Sequence, residues 1–544
     1  MSGETSNGSP ERRRPPSTRR SYLKAVGAAL ASAALAGCGG SPSPTDPSDL
    51  PGSRQKGEIP HADDYDAVVD VAEAGVDATG RRPINRTLNA LVDDDTLLYF
   101  SEGAYLIDAP WVLRGRNVGM VGDGATLRMP PGTVGLWIAA DGVSSFRFDG
   151  FALDNTPPRT AGRVQVVCDG GWNVVRDVVV AGRQDVAEVT TRAFSLKVSG
   201  AGTHLSLSNV DMSAGAVNGT AVFVNPTSNP GSLAFRDCRV VDWGNQGLYA
   251  SAHGGPLRIV GGEYANNGLS QIRVGGGDAD TRAIVRDATV RVDDPRPGTA
   301  NMRGIWLKEG DGTLVENCDV RITDLTGTTS SGGIVVGGEH GRTTVRDTTV
   351  RIDAPTYGVK VRRPKAGDFY APSLTRRPGA WDVTLEDVRV VGDATGSAAI
   401  ELIGRGESAF RNVEIRQRGR DRDGIAVSDS LETTVTGLAA ETGRYPLLVG
   451  VRSRQDACAV TLKAVEKLST DHEVRELRPF LPGASPPFCL DSDLLGDWDG
   501  AAALAITGVT EYGLEGEVVY EDPRDAEPTR GRAAANGERG GPES

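Results

Sequence analysis

A short pattern returns along this chain: an apolar residue, any residue, then Asp, Asn or Gly, then two residues and another apolar one. Phe235-Arg236-Asp237-Cys238-Arg239-Val240 and Val315-Glu316-Asn317-Cys318-Asp319-Val320 are examples, as are Val345 to Val350 and Phe410 to Ile415. The third residue falls at Gly150, Asp177, Asn209, Asp237, Gly262, Asp287, Asn317, Asp347, Asp387, Asn412 and Gly437, in steps of 25 to 40 residues. Asp, Asn and Gly share a tolerance of left-handed backbone angles, which a sharp bend between strands requires. A period of this length matches one coil of a three-sided solenoid. An antiparallel sandwich would need hairpin turns and no fixed column of bends, and a propeller would need a longer repeat.

A second strand of the form Gly-Ile-x-Leu precedes many of these units. Cases are Gly247-Leu248-Tyr249-Ala250, Gly304-Ile305-Trp306-Leu307, Gly333-Ile334-Val335-Val336, Gly358-Val359-Lys360-Val361 and Gly424-Ile425-Ala426-Val427. Period-two alternation turns the second and fourth residues inward and the third outward. About twelve coils fit between residues 118 and 450, a rod roughly 58 Å long at ~4.8 Å per coil. Glycine (70 residues) and proline (31) suit many tight turns, and the repeats make the length one solenoid.

Formal charge is −13; without the six basic and two acidic side chains of residues 1–37 it becomes −17, from 53 basic and 70 acidic groups. Only eight of the 59 basic residues are lysines. An acidic, lysine-poor surface resembles those of high-salt proteins, where carboxylates hold water and screening blunts their repulsion. No broad basic face is available, which argues against nucleic acid as a partner.

Thr18-Arg19-Arg20-Ser21-Tyr22-Leu23-Lys24 precedes an apolar run from Ala25 to Leu35, and Leu35-Ala36-Gly37-Cys38 follows. The first resembles a twin-arginine export signal and the second a lipobox, in which the cysteine is lipidated. The run is too short for a spanning helix, which needs ~20 residues. The resemblance implies an extracellular protein held to the outer face of the cell membrane through Cys38, by two or more acyl chains, since one binds only weakly. The expected organisation is a signal over 1–38, a polar Gly/Ser/Pro tether over 39–60 and an N-terminal cap over 61–117. The solenoid follows over 118–450, then a C-terminal cap segment over 451–520 and a disordered tail over 521–544.

The cap segment carries a family likeness. A strand is predicted from Val69 to Asp77 and a short helix from Pro83 to Val92, with Pro83 in its first turn and Ile84, Thr87, Leu88 and Leu91 on one face. Leu97-Leu98-Tyr99-Phe100 and Glu102-Gly103-Ala104-Tyr105-Leu106-Ile107 follow. This order resembles the N-terminal cap of the pectate-lyase superfamily, and the likeness spans roughly residues 65–450. It implies an all-β, single-stranded right-handed parallel β-helix with three sheets and a capping helix over the open end of the core. It says little about reaction.

In that superfamily the ligand groove follows the Gly-Ile-x-Leu sheet. The outward row there reads Trp137, Gln165, Ser195, Phe223, Tyr249, Arg273, Trp306, Val335, Lys360, Glu401, Ala426 and Leu448. Two residues on, Lys197, Asn225, Ser251, Gly275, Lys308, Gly337, Arg362, Ile403 and Ser428 form a second row. Lys308, Lys360 and Lys365 gather three of the eight lysines in one region. Aromatic rings stack on the apolar face of a sugar, and Arg or Lys pairs with a carboxylate or sulfate on it. Segments 291–303 and 363–380 would wall this region as loops, the second contributing Lys365, Asp368, Tyr370, Arg376 and Arg377.

The expected partner is therefore an acidic polysaccharide, bound by Tyr249, Arg273, Trp306, Lys308 and Tyr370. If it is cleaved, β-elimination is the chemistry to expect: Lys360 as base, Arg362 and Arg273 on the carboxylate, and Tyr249 or Tyr370 protonating the leaving oxygen. Hydrolysis would need two facing carboxylates, and Glu401 has Glu309 or Asp368 as its candidate partner. The Asn-Thr-Asp, Asp-Asp, Gly-His-Gly and Arg-Ile-Lys motifs of polygalacturonase-like hydrolases are not matched: Arg422-Asp423-Gly424-Ile425 lacks the second strand aspartate, and His253-Gly254-Gly255 lacks the leading glycine. The alternative is a non-catalytic β-helix that binds glycan or builds surface structure. A third reading is a solenoid that meets other proteins through its loops.

No strand-aspartate set for calcium is visible; Asp278 and Asp280 are candidate ligands, though a plain turn accounts for them. His253 and His340 follow groove strands and are candidate general acids, whereas His204 precedes a repeat strand and reads as structural. Cys238 and Cys318 share a column three coils apart, ~14 Å, too far for a disulfide, and read as core fillers. Cys168 is expected in a strand. Cys458 and Cys489 are a candidate disulfide in an exported protein.

Overall fold

The structure, a computed structural model, describes residues 59–225, 229–251, 253–276, 282–365, 378–428, 430, 432–444 and 446–450, with three further strands, Val460–Lys463, Lys467–Thr470 and Phe488–Leu490. The export and lipobox motifs, Cys38, the tether, the tail and Cys458 lie outside these residues, as do Asp278, Asp280, Asp368, Tyr370, Arg376, Arg377 and the side chain of Cys489.

The chain winds into a right-handed parallel β-helix. One sheet holds 13 strands, each paired only with its counterparts in the coils before and after, from Trp111–Arg116 to Leu447–Gly450. A second set of 25 strands forms the other two faces, with each coil crossing from one face to the next at a bend. The coil count exceeds the twelve expected because the first coil starts earlier, at Trp111.

The bends explain the repeat. Asp177, Asn209, Asp237, Asp287, Asn317, Asp347, Asp387 and Asn412 all have φ between 49° and 57°. They line up coil on coil, so that Asn209 donates to Asp177 at 2.6 Å, Asn317 to Asp287 at 2.6 Å and Asn412 to Asp387 at 3.0 Å. An Asn amide between aspartates relieves the repulsion that a pure Asp column would suffer. One coil differs from expectation. Arg239 pairs with Glu263, so Gly261 and not Gly262 stands in the column beside Asp237, and Gly262 faces Cys238.

Between bends, alternation decides the core. Ile305, Leu307, Ile334, Val336, Val359 and Val361 are fully buried, stacked on their equivalents in one continuous cluster that runs the length of the rod. Each such side chain contributes about 1.5–3 kcal/mol by leaving water. Cys168, Cys238 and Cys318 are buried free thiols in this cluster, the core role expected for Cys238 and Cys318, and Cys168 lies in the strand Ala161–Gly170 as expected.

The N-terminal region departs in detail. The first strand is Ala67–Asp70 and ends well before Asp77. Pro83 closes the strand Thr79–Pro83, and the helix begins two residues later, spanning Asn85–Leu91. The Ile84 amide is already bound to the Leu106 carbonyl, which keeps the chain extended through Pro83. Ile84 and Leu88 still enter the core, as the helical face required. Among the described residues no helix is long and apolar enough to cross a membrane.

Candidate functional site

The outward row of the 13-stranded sheet follows the predicted register almost throughout. Ser195 pairs with Phe223, Phe223 with Tyr249, Tyr249 with Arg273, Arg273 with Trp306, Trp306 with Val335, Val335 with Lys360 and Lys360 with Glu401. Trp137 is the exception. The ladder slips between Leu136 and Ile138, Ala139 takes the place opposite Gln165, and the Trp137 indole is buried in the core.

At mid-rod these side chains form a ladder of rings and cations. The Arg273 guanidinium lies 4.0 Å from the Tyr249 ring centroid and 4.5 Å from that of Trp306. Arg303 covers Trp306 at 3.9 Å, and Lys308 stands 5.5 Å from the same ring. Phe223 extends the stack, 5.2 Å from Tyr249, with Arg192 over it at 3.9 Å. Cation–π contact holds each planar group upright where water is partly excluded. The Trp306 indole N–H has no acceptor among the described residues.

Two clusters of opposite charges follow along the rod. Lys360 reaches Glu401 at 3.2 Å and lies 3.9 Å above the Tyr357 ring. Burial, with Glu401 nearby, pushes the Tyr357 phenol up to about 12. Arg362 donates to the Ser331 hydroxyl at 3.4 Å, and Ser331 donates in turn to Asn301. The loop before Trp306 is thereby tied to the same face. Nearer the strand ends, Lys308 and Lys365 converge on Glu339 at 3.3 and 3.4 Å. Burial alone would raise the Glu339 carboxyl, but Lys308, a backbone hydrogen bond and Lys365 together outweigh it and hold it below its ordinary value.

Beneath the face, two arginines fix the backbone. Fully buried Arg405 donates to the carbonyls of Arg362, His340, Trp381 and Gly337 at 2.7–3.1 Å. Fully buried Arg422 donates to Thr356 and Gly396 carbonyls and to Gln417. Burial lowers both guanidiniums, to about 10 and about 9.

The structure thus brings Tyr249, Arg273, Trp306, Lys308, Lys360, Arg362 and Glu401 onto one face. Tyr370 and Asp368 fall outside the described residues. Glu309 is buried and pairs in register with Glu339, which removes it as the carboxylate opposite Glu401. His253 and His340 are also buried, and desolvation drops both to about 4, so neither can reach a ligand as a general acid. Sequence reasoning missed Tyr357, Glu339, Arg303 and Arg405. Arg303 and Tyr357 each precede the glycine of a Gly-Ile-x-Leu unit, a position where strand alternation has not begun. Among the described residues no group of three or more His, Cys, Asp or Glu is placed to hold a metal ion.

Fold and face together define a parallel β-helix with a cationic and aromatic track. Neither a protein-family model nor a curated protein matches the chain. Solved structures that resemble it include the A-module of a mannuronan C-5 epimerase from Azotobacter vinelandii, at 14% identity over 69% of this chain and 99% of that one, with a TM-score of 0.38. A DFA-IIIase from Arthrobacter chlorophenolicus aligns at 10% identity over 74% of this chain and 95% of its own, TM-score 0.35. A hyperthermoactive exopolygalacturonase from Thermotoga maritima aligns at 12% over 73% and 86%, TM-score 0.23. Likenesses this shallow carry nothing about the reaction.

Proposed function

We infer that this protein binds an acidic polysaccharide along the outward face of the 13-stranded sheet. The observation that carries the reading is the Tyr249–Arg273–Trp306 sandwich, a buried guanidinium held between two partly exposed rings on the outward row. The rings, held in place by the guanidinium, offer flat apolar surface to sugar rings, while Arg362, Lys308 and Lys360 supply positive charge for carboxylates or sulfates. In a chain of net charge −13 this concentration of cations on one face is selective for an anionic ligand.

Binding is favoured over cleavage because the acid–base candidates are engaged. Lys360 is committed to Glu401 and to the Tyr357 ring, and Glu339 to two lysines. The second reading is β-elimination, favoured by the clustering of Lys360, Tyr357, Arg362 and Glu401. In it Arg362 and Arg273 hold the substrate carboxylate, Lys360 as a neutral amine takes the proton α to it, the β C–O bond breaks as the double bond forms, and Tyr249 protonates the leaving oxygen. Export and lipidation at Cys38 form part of the proposal, supported by the order of the arginine pair, apolar run and Leu-Ala-Gly-Cys motif.

The test is incubation of the protein at high salt with uronic-acid and sulfated polysaccharides. Retention on the polymer without ultraviolet-absorbing unsaturated ends or new reducing ends is the expected result. Unsaturated ends would establish the lyase reading, and absence of retention on every acidic polymer would end both.

A further inference from the structure

The larger sheet carries a feature that the groove does not use. Trp172 starts the strand Trp172–Ala181 and is 73% exposed, far more than any other large hydrophobic side chain described. It is nevertheless ordered by a partner: its ring stacks on His204, one coil on, with centroids 3.9 Å apart and planes 15° from parallel. His204 is in turn bonded through Nδ1 to the Ser232 hydroxyl of the next coil. An indole stacked on one face and still so exposed must present much of its other surface to solvent. Exposing it costs apolar hydration that the fold does not recover.

The Trp172–His204 pair ends a trough of about 530 Å³. Its lining includes Ser206, Ala234 and Ile284, with Arg236, Arg258 and Arg282 among the residues around it. Lining residues run over five coils from Trp172 to Arg282, roughly 19 Å along the rod at ~4.8 Å per coil. The three arginines are exposed and have no acidic partner among the described residues. Arg81, Arg82 and Arg411 on this sheet also lack one, but many of its arginines share a carboxylate. Arg239 and Arg291 share Glu263, Arg286 and Arg346 share Glu316, and Arg389 and Arg416 share Glu414. Three unpaired arginines thus gather beside an exposed indole.

We propose that this trough is a second binding site, for a short acidic oligosaccharide lying along the rod. One sugar ring packs against Trp172, and its carboxylates or sulfate esters pair with Arg236, Arg258 and Arg282. The site lies on a different sheet from the Arg273 groove and stands or falls without it.

Isothermal titration of the full chain with a hexuronate tetrasaccharide, its sulfated galactan counterpart and a neutral tetrasaccharide tests this. Two binding events are expected with one or both acidic probes, which shows the anion preferred, and none with the neutral one. Trp172→Ala and the pair Arg258→Ala/Arg282→Ala should each weaken one event at least tenfold, while Trp172→Phe stays within about threefold of the parent (about 0.6 kcal/mol). Arg273→Ala/Trp306→Ala should abolish only the other event. The proposal is overturned if Trp172→Ala and the arginine pair bind as the parent does, if the groove variant loses all binding, if the neutral probe binds equally well, or if no acidic probe binds. Loss of the only event on Trp172→Ala, with the groove variant unaffected, would uphold the trough and remove the groove. The side chains changed in the trough are exposed, so unaltered circular dichroism is expected and checks the fold.

Discussion

Lys360 and Glu401 stand directly opposite each other on adjacent coils, their charged atoms 3.2 Å apart, in the row that faces outward from the 13-stranded sheet. The pair divides the two readings of the groove. In a binding surface Glu401 repels an anionic ligand and occupies a lysine that would otherwise hold it. Glu401→Gln should therefore tighten binding of a hexuronate oligosaccharide by about three- to tenfold, up to about 1.4 kcal/mol. Calorimetric titration of both proteins decides; weaker binding by the glutamine variant would count against the groove.

Arg273 acts through its shape. A lysine keeps the charge but not the planar group that fills the space between Tyr249 and Trp306. Arg273→Lys should weaken acidic oligosaccharide at the groove at least fivefold, about 1 kcal/mol. Arg273→Ala should do so more than tenfold. Equal affinities for parent and lysine variant would show that charge alone matters.

Backbone handedness at the bends is open to a pair of substitutions. Asp347 has φ of 50°, costly for a β-branched residue and free for glycine. Asp347→Val should lower stability by about 1–3 kcal/mol, whereas Asp347→Gly should change it far less. Thermal melts of the two variants provide the comparison.

Two buried imidazoles make stability depend on pH. His253 and His340 sit at about 4 in the folded chain, against an ordinary 6.5, because burial penalises their charged form. Between those values the unfolded chain binds more protons than the folded one. Stability is therefore complete above about pH 6.5 and falls as pH drops toward 4, by on the order of 3 kcal/mol for each ring. His253→Gln/His340→Gln should flatten the melting temperature over that window. An unchanged slope would show that other groups govern it.

The core thiols should be inert. Burial raises Cys168 to about 12 and Cys238 and Cys318 to about 11, and a thiol reacts as thiolate. Peptide mapping after iodoacetamide treatment of the native protein should find these three unmodified, and all three modified in denaturant.

The winding of the chain was legible because each coil repeats the same local demand. Asp287, Asn317 and Asp347 need φ near 50° wherever they occur, and the alternation around Ile305, Ile334 and Val359 admits one register. Trp137 and Gly262 were misplaced where a bulge or paired glycines shift the count by one residue, a shift that composition does not mark. Pro83 was misplaced because a hydrogen bond from Ile84 to a distant carbonyl, not local preference, sets where the helix starts.

The outward row, too, was readable residue by residue, since period-two alternation is a local property. What each of its side chains touches was not, because contacts form between coils 25 to 40 residues apart. Only the stacked structure decided that Lys360 meets Glu401, that Glu339 draws in Lys308 and Lys365, and that His253 and His340 are enclosed. It alone set Trp172 on His204 beside three arginines, because stacking joins residues that share a height on the rod whatever their distance along the chain.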